Sequence, residues 1–342
     1  MKKVKAKRKT TLVDVAKAAG VSAITVSRAL REPETVSPKL RERIQQVVDE
    51  FGYLPDPAAS ALASARTNVI GVLIPSITNN VFADVLRGIY SALGTTSPYG
   101  IQLGNTRYSI LEEERLLRVF LTQRPAGLIV AGIDQSSTAK AQLLAAECPI
   151  VQIMETCDDP IDMMVGFSHS DAASTAVQHL VDCGYRQIAF LGAQMDPRTQ
   201  RRLEGYSRCL RKEGLFDPRL VITTPRASTV TLGCELLSEL LARAPNAEAV
   251  FCNNDDLAVG VLFECLRRNI RVPDEIGICG FNDLEMMAAA APSITSIRTF
   301  RERMGSLAVE MLISKVEGKP VDAPVIDLGY ELIERQSTRR VT

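Results

Sequence analysis

The chain has 342 residues, of which 46% are hydrophobic and 23% are charged, and this composition excludes a wholly disordered protein. At roughly 150 residues per domain, the length predicts two or three compact units. Forty basic side chains balance forty acidic ones, but residues 1–67 hold 13 Lys and Arg against seven Asp and Glu, so the remainder is acidic. A basic N-terminal segment (the head, residues 1–67) followed by an acidic remainder indicates that the head alone binds a polyanionic partner.

Residues 11–54 have the pattern of three short helices. In the first, apolar residues recur at helical spacing until Gly20 ends the run. The second follows an N-cap at Ser22, and either Ile24 or Val26 faces inward; the third has a proline at its first helical position. Two short helices joined by a tight turn and braced by a third predict a helix-turn-helix unit.

The second helix of this unit, residues 22–30, is the candidate recognition helix for the major groove of DNA. Arg28 offers donors to guanine or phosphate, whereas Ala23 and Ile24 offer apolar contacts, for example to thymine methyl groups. The alternative is a small bundle without DNA contact, which the basic tail and the following linker disfavour. The residues expected to contact DNA here are Thr11, Ser22, Ala23, Ile24, Thr25, Ser27 and Arg28.

Residues 55–68 are small and polar behind two prolines, which is the composition of a linker that can also form a short helix. From residue 69 onward, short apolar runs alternate with helical segments, and this alternation predicts parallel sheets with helices on both faces. Two such series predict two doubly wound lobes, with the ligand site in the cleft beyond the carboxyl ends of the strands. The predicted fold is therefore α plus α/β, with a helix-turn-helix domain at 1–54 and a two-lobed core of doubly wound parallel sheets at 69–342.

Several classes of protein are disfavoured by motifs that the sequence lacks. No apolar run reaches the roughly 18–20 residues of a membrane span, and no apolar segment follows the basic N-terminus, so we expect no membrane association and no secretory signal. The eight cysteines form no C-x-x-C pair, which predicts reduced structural thiols, no metal site and a cytoplasmic protein. Phosphate-binding glycine motifs and the G-x-S-x-G nucleophile motif are absent, so we expect no enzyme activity and no cofactor.

The chain is similar to lac-repressor-family (LacI/GalR-type) regulators at its start, in VDVAKAAGVSAITVSRAL, and at their hinge position, in GYLPDPAASALA. Further segments follow in the order of that family: IGVLIPSITNN, LVDCGYRQIAFLG, VFCNNDDLAVG and VPDEIGICGFND. The resemblance implies a homodimeric bacterial repressor that binds a pseudo-palindromic operator. It also implies a two-lobed, periplasmic-binding-protein-like core whose small-molecule effector changes the affinity for DNA. It places the first lobe at about 69–166 and 299–325, and the second at about 167–298 and 326–342.

In this family a hinge helix inserts a leucine between base pairs of the minor groove, and Leu62 is the matching residue. The sequence departs from the common pattern, because Asp56 and Pro57 stand where relatives often have Asn-Arg. Asp56 can cap the hinge helix with Pro57 in its first turn, so the departure puts only one phosphate contact in doubt.

The resemblance also places effector contacts at strand ends and in the helix after IAFLG. Amides and carboxylates there can pair with vicinal hydroxyls, an arginine can pair with a carboxylate, and an aromatic ring can cover an apolar face of the ligand. The candidates are Ser76, Asn79, Phe82, Glu155, Arg198, Arg202, Asn254, Asp255 and Asn282. Three alternatives stay open: Asp255 only caps its helix, Glu155 is a solvated carboxylate, and an arginine of that helix faces water.

The segments LGAQMDPRTQRRLEGY and RERMGSLA look most like the repressors that control gluconate and idonate use. We therefore expect gluconate or a related sugar acid as the effector, and its binding is expected to close the lobes and release the operator. A neutral hexose or pentose is the alternative effector, and corepression is the alternative response. A sugar-binding protein without DNA function is the alternative class, but it would need an export signal and would lack the basic helical head.

Overall fold

The computed structural model describes residues 10–53 and 67–339, which form two compact units that divide between Thr67 and Asn68. The first unit consists of three α-helices and a 3₁₀ turn at Pro33–Thr35. Its helices are α1 (Leu12–Ala19), α2 (Ala23–Arg31) and α3 (Pro38–Phe51).

Side-chain caps determine where the first two helices begin. The hydroxyl of Thr11 accepts a hydrogen bond from the backbone N–H of Asp14, and the Asp14 carboxylate accepts one from the N–H of Thr11. This reciprocal pair satisfies two amides that have no partner inside the helix. The hydroxyl of Ser22 does the same for the N–H of Thr25, at 3.1 Å.

One small apolar cluster holds the three helices together. Val26 of α2 is fully buried in it, whereas Ile24 is 72% exposed, so Val26 is the residue of α2 that faces inward. The buried members of the cluster are Val15, Ala16, Ala19, Val26, Ala29, Ile44, Val48 and Tyr53.

The second unit contains two six-stranded sheets, each of which forms one lobe. The strands of the first sheet are β1 (Val69–Ile74), β2 (Gly100–Asn105), β3 (Gly127–Ala131), β4 (Ile150–Ile153), β5 (Met163–Gly166) and β11 (Val325–Asp327). They lie in the order β11-β5-β4-β3-β1-β2, and all neighbours are parallel. Strands β4 and β5 are buried along their whole length, and β3 is buried except at Ala131, because helices cover both faces.

The second sheet repeats this arrangement. Its strands are β6 (Ile188–Gly192), β7 (Val221–Thr223), β8 (Ala249–Cys252), β9 (Gly277–Asn282), β10 (Thr295–Thr299) and β12 (Tyr330–Ile333). The order is β12-β10-β9-β8-β6-β7, and β12 pairs antiparallel to β10 at one edge. In both sheets the order reverses beside the first strand, and such a switch point is where doubly wound folds bind ligands.

The helices of the second unit connect successive strands. They are α4 (Asn80–Leu93), α5 (Ile110–Thr122), α6 (Ser137–Leu144), α7 (His169–Asp182), α8 (Pro197–Lys212), α9 (Val230–Arg243), α10 (Asp255–Arg268), α11 (Glu285–Ala289) and α12 (Arg301–Val316). In α12, a Cβ added at Gly305 would lie 2.1 Å from the backbone oxygen of Val85 in α4, so the two helices approach each other backbone to backbone. Of the helices within residues 10–53 and 67–339, none has the length and apolarity needed to cross a membrane.

The chain passes between the lobes three times. The first two passages, before α7 and before α12, fall near the expected boundaries at 166–167 and 298–299. The third lies later than the expected position at 325–326, because β11 (Val325–Asp327) still pairs with β5 in the first sheet. The N–H of Leu328 continues this pairing by donating to the oxygen of Gly166, and Gly329, with φ +63°, then turns the chain toward β12.

Candidate functional site

A cavity of about 170 Å³ lies between the two lobes, at the carboxyl ends of strands from both sheets. In the first lobe its walls come from the segments after β1, β2 and β4, and in the second lobe from those after β6, β7, β8 and β9. Seven of the nine predicted effector residues line it. They are Ser76, Asn79, Phe82, Arg198, Arg202, Asn254 and Asn282.

Arg198 brings a buried cation to this cavity. Its Nε and Nη2 atoms donate to Oδ2 of Asp196 at 3.1 and 2.6 Å, and its guanidinium lies 5.6 Å from the ring centre of Phe82. The third nitrogen, Nη1, is buried and has no hydrogen-bond partner. A buried donor without a partner costs free energy, so Arg198 presents an unmet donor to any ligand in the cleft.

Arg202 supplies a second buried guanidinium one helical turn further along α8. Its Nε donates to Nδ1 of His169 at 3.2 Å, its Nη1 donates to the backbone oxygen of Asn253, and the group stacks 3.9 Å above the ring of Phe281. Because Nδ1 accepts, Nε2 of His169 carries the proton that it donates to the oxygen of Met154 at 2.8 Å. Burial, together with the nearby arginines, lowers the pKa of His169 well below its usual value, and burial lowers the pKa of Arg202 to about 10.

Two acceptors in the cavity are also without partners. Oδ1 of Asn282 is buried with no hydrogen bond, and its backbone is held at φ +116°, where its carbonyl oxygen accepts from Arg301. Asp256 lines the same cavity, burial raises its pKa, and none of the described residues forms a hydrogen bond or ion pair with its carboxylate. These acceptors suit hydroxyl groups of a ligand.

Two helices begin at the cavity wall. Oδ1 of Asn79 caps α4 by accepting the N–H of Val81 at 3.0 Å, and Oδ1 of Asn254 caps α10 by accepting the N–H of Leu257 at 3.1 Å. The hydroxyl of Ser228 donates to the same Asn254 oxygen at 2.8 Å. The positive ends of both helix dipoles therefore lie beside the cavity and add to the field of the two arginines.

Glu155 is a predicted site residue that does not line the cavity. Its side chain is buried, its Oε1 accepts the N–H of Thr156, and its Oε2 lies 3.4 Å from Nε of Arg201. Burial raises the pKa of Glu155 to about 7. Arg201, from the second lobe, forms a bidentate ion pair at 2.8 and 2.6 Å with Asp134, from the first lobe, so this group of charges joins the two lobes.

Asp255 also lies outside the cavity lining. Its carboxylate is fully buried and accepts hydrogen bonds from the N–H of Leu284 and the hydroxyl of Ser296, both at 2.7 Å. Burial raises the pKa of Asp255 to about 6. The structure thus places Asp255 in a contact that joins the start of α10 to β10, whereas the cap of α10 is Asn254.

Several lining residues were missed by the sequence analysis, although one rule could have found them. Tyr108 follows β2 and Ser228 follows β7, so extending the strand-end rule to every strand of both sheets would have included them. Further polar lining residues share the segments after β6 and β8 with predicted residues. They are Gln194, Thr199, Asn253 and Asp256.

Unusual backbone conformations concentrate around the cleft. Nine non-glycine residues within the described ranges have positive φ. Five of these line the cavity of about 170 Å³ or a second cavity, of about 300 Å³, that lies beside it. They are Tyr108, Met154, Gln194, Met195 and Asn282. Positive φ at a non-glycine residue costs free energy and is frequent at ligand sites. The loops around the cleft therefore adopt conformations that lower local stability.

The described part of the chain contains no candidate metal site and no disulfide bond. No group of three or more His, Cys, Asp or Glu side chains there could hold a metal ion. None of the eight cysteines is part of a disulfide, and five of them are buried. His179 is used structurally, with Nε2 lying 2.9 Å from the hydroxyl of Thr338.

In the first unit, the predicted DNA-contact residues lie on and around α2. Ser22, Ile24 and Arg28 are exposed, whereas Ala23, Thr25 and Ser27 are half-buried. The hydroxyls of Ser22 and Thr25 are 2.8 Å apart. Thr11 is exposed at the start of α1, and Leu62 lies outside the described residues. Among the described side chains of α2, Arg28 therefore offers an exposed cation and Ile24 an exposed aliphatic group.

Comparisons with known proteins match both units. The family model described as bacterial regulatory proteins, lacI family, matches residues 11–56, and that described as periplasmic binding protein-like domain matches residues 177–338. The HTH-type transcriptional regulator GntR of Pseudomonas aeruginosa is 43% identical over 330 residues, which cover 96% of this chain and 95% of that protein. The HTH-type transcriptional regulator IdnR of Escherichia coli strain K12 is 35% identical over 326 residues, which cover 94% and 96%.

A solved structure matches nearly the whole chain as well. It is the crystal structure of a transcriptional regulator, a LacI family protein, from Silicibacter pomeroyi, with a TM-score of 0.90 and 35% identity. The match covers 97% of this chain and 100% of that one. The order of a small helical unit followed by a two-lobed core is therefore shared with a known regulator.

Proposed function

The chain belongs to the LacI family of bacterial regulatory proteins, and on that premise we propose that its effector is a sugar acid of the gluconate type, which binds between the lobes and releases operator DNA. The chain itself is a DNA-binding transcriptional regulator and not an enzyme. Because it acts on the bacterial chromosome, we place it in the cytoplasm.

The observation that carries the proposal is the unpartnered Nη1 of Arg198. A carboxylate is the ligand group that best matches a guanidinium, since it accepts charge-assisted hydrogen bonds from the planar fork. Arg202 lies nearby on the same helix, and the starts of α4 and α10 add positive potential. A neutral sugar would leave the Arg198 donor without an anion.

The rest of the cavity suits a hydroxylated carbon chain. The free acceptors of Asp256 and Asn282 and the hydroxyl of Ser76 can pair with ligand hydroxyls, and the ring of Phe82 provides an apolar wall. An open-chain polyhydroxy acid carries both kinds of group, a single carboxylate and several hydroxyls. Gluconate is the simplest six-carbon member of this class.

For DNA binding we propose that α2 enters the major groove of each half-site. Arg28 then contacts guanine or phosphate, and Ile24 provides an apolar contact to bases. Thr11, Ser22, Ala23, Thr25 and Ser27 complete the proposed surface, and Leu62 is proposed to insert into the minor groove.

The proposed regulator acts as a dimer, whose two-fold symmetry matches a pseudo-palindromic operator. One face of α4 packs against α12 of the same chain, and another face exposes Ala83, Arg87 and Tyr90, with Arg87 paired to Glu302 of α12 at 2.6 Å. That exposed face is where we place contacts to the second copy.

Effector binding would act through closure of the lobes. The Arg201–Asp134 ion pair joins the lobes in the conformation described, and a ligand that contacts both lobes favours the same closed state. Since effector and operator then favour different conformations, each weakens binding of the other by the same factor. A corepressor response would require that both ligands favour one conformation.

The experiment has two parts. Isothermal titration of the full chain with gluconate, glucose and ribose identifies the ligand class, and a DNA fragment selected by the protein from a random pool then serves as operator in fluorescence anisotropy. We expect gluconate alone to bind, Arg198→Met to abolish binding, and gluconate to lower the affinity for the selected DNA. Arg208→Met, which removes an exposed cation from the same helix, is the matched control and should bind gluconate normally.

Two results would overturn parts of this proposal. Binding of a neutral sugar without gluconate would contradict the acid effector, while leaving the family and its DNA-binding role untouched. A gain in affinity for DNA on adding gluconate would contradict induction and establish corepression.

A further inference from the structure

A second and larger cavity, of about 300 Å³, adjoins the first. It lies at the carboxyl ends of β1, β2 and β3 in the first lobe and is closed from the second lobe by residues 194–198. Since β1 has β2 on one side and β3 on the other, this cavity occupies the switch point of the first sheet, where a ligand is expected.

The two cavities share one wall. Tyr108, Gln194, Asp196 and Arg198 line both of them. The Asp196–Arg198 ion pair lies in this wall, and the guanidinium carbon is 5.9 Å from the centre of the Tyr108 ring. Because Arg198 lines both cavities, a ligand bound to it in the first cavity lies next to the second.

The size of the first cavity supports a ligand that occupies both. Sites for small molecules commonly enclose roughly 300–1,000 Å³, and the first cavity, at about 170 Å³, falls below that range. The second cavity alone reaches it. A six-carbon acid in the first cavity would leave the larger space empty.

The lining of the second cavity differs chemically from that of the first. It combines apolar side chains, among them Ile74, Pro75 and Ile110, with the carboxylates of Glu113 and Asp134 and the hydroxyls of Thr106 and Ser109. Burial raises the pKa of Glu113. A pyranose ring has a matching character, with apolar C–H faces and hydroxyl groups around its edge that donate to carboxylates.

The charges of this second cavity disfavour an anion. Its lining includes the carboxylates of Asp134 and Asp196, and Arg201 at its edge is already paired with Asp134. Glu113 adds a further carboxylate to the lining. A phosphate or a second carboxylate would therefore meet acceptors of like charge, whereas a neutral ring meets hydrogen-bond acceptors.

We propose that the second cavity is a binding site for a neutral sugar ring, so that the effector is a glycoside of a sugar acid, with its acid part at Arg198 and its ring at Glu113. This inference rests on the proposed function for the acid part. It names a larger ligand class, the aldobionic acids, for the same cleft.

The test compares four ligands by isothermal titration with the full chain: gluconate, cellobionate (which is gluconate carrying a glucose ring), cellobiose and glucose. We expect cellobionate to bind about tenfold more tightly than gluconate, because the ring adds a hydrogen bond to a charged acceptor. Cellobiose and glucose, which lack the carboxylate, should bind far more weakly than cellobionate.

Two variants locate the ring. Glu113→Gln should weaken the affinity for cellobionate by about tenfold and change that for gluconate by less than about twofold. The control Glu112→Gln removes the same charge one residue earlier, from a carboxylate that pairs with Arg115 outside the cavity. It should change neither affinity. Ala131→Leu, which fills part of the second cavity from β3, gives an independent check and should also weaken cellobionate selectively.

The outcomes separate the two proposals. If gluconate binds and cellobionate binds no tighter, the second-cavity proposal is overturned while the proposed function stands. If cellobionate binds tightly but Glu113→Gln and Ala131→Leu leave its affinity unchanged, the ring lies elsewhere and the proposal is likewise overturned. If no acid binds, the proposed function and the inference that rests on it fail together.

Discussion

Replacing Asp196 with asparagine is expected to destabilise the second unit while strengthening its binding of an anion. The Asp196 and Arg198 side chains are only 12% and 11% exposed, and two nitrogens of Arg198 donate to Oδ2 of Asp196. Asp196 also caps α8, because its Oδ1 accepts the N–H of Thr199 at 2.9 Å. Asparagine caps a helix about as well as aspartate, so this substitution removes chiefly the charge.

The magnitude follows from the burial of the pair. Removing one member of a buried ion pair costs about 3–5 kcal/mol, because the remaining charge stays buried without compensation. Since both side chains retain slight exposure, we take the lower end, about 3 kcal/mol. At about 2–4 °C per kcal/mol for a unit of this size, the thermal midpoint should fall by roughly 6–12 °C.

A double variant and a ligand titration check the reasoning. Asp196→Asn combined with Arg198→Met leaves no uncompensated charge, so most of the lost stability should return. In the single variant, the rise in thermal midpoint on adding saturating gluconate should exceed that of the parent protein, because the ligand now supplies the missing negative charge. Differential scanning fluorimetry measures both. A midpoint within about 2 °C of the parent, or a smaller gluconate shift in the variant, would refute the argument.

Three further predictions concern other parts of the molecule. Burial raises the pKa of Glu155 to about 7. Between about pH 4.5 and pH 7 the folded protein therefore keeps a proton on this carboxyl that the unfolded chain has lost. The contribution of Glu155 to the free energy of unfolding falls as the pH rises through this range. Glu155→Gln should therefore become increasingly stabilising relative to the parent between about pH 5 and pH 8, and a thermal-midpoint difference that stays flat across this series would contradict it. Gly305→Ala would place its Cβ 2.1 Å from the oxygen of Val85 and should lower the free energy of unfolding, measured by urea denaturation, by about 1–3 kcal/mol. The control Gly100→Ala, with open space around it, should change this free energy by no more than about 0.5 kcal/mol. Equal losses in the two variants would argue against the close helix crossing. Arg28→Ala should weaken DNA binding and reduce the slope of log affinity against log salt by about one, without changing the thermal midpoint; anisotropy titrations with an unchanged slope would exclude a phosphate contact.

Local patterns in the sequence were sufficient for the helices of the first unit. Caps at Thr11 and Ser22 and the glycine at Gly20 act within one turn of the chain, so they can be recognised without knowing the fold. The choice between Ile24 and Val26 could not be made in this way. It depends on which side of the nine-residue helix α2 the other two helices cover, and that is a tertiary property.

The alternation of strands and helices likewise predicted two doubly wound lobes and a cleft at their strand ends, because this pattern depends on burial along short runs of the chain. It could not decide which side chains of a strand end face the cleft. After β8, Asn253, Asn254 and Asp256 line the cavity, while Asp255, between them, turns to Leu284 and Ser296. Adjacent residues point in different directions where a strand passes into a helix, so the answer depends on the packing of α10 against β9 and β10.

The first three arginines of α8 show most clearly what the sequence and the tertiary structure each determine. The family resemblance was enough to predict that an arginine of this helix, which follows β6, reaches the cleft. Only the tertiary structure assigned their partners: Arg198 pairs with Asp196, Arg201 reaches Asp134 in the other lobe, and Arg202 donates to His169. Successive residues of a helix point about 100° apart, and the placement of the two lobes around α8 decides which charge each side chain meets.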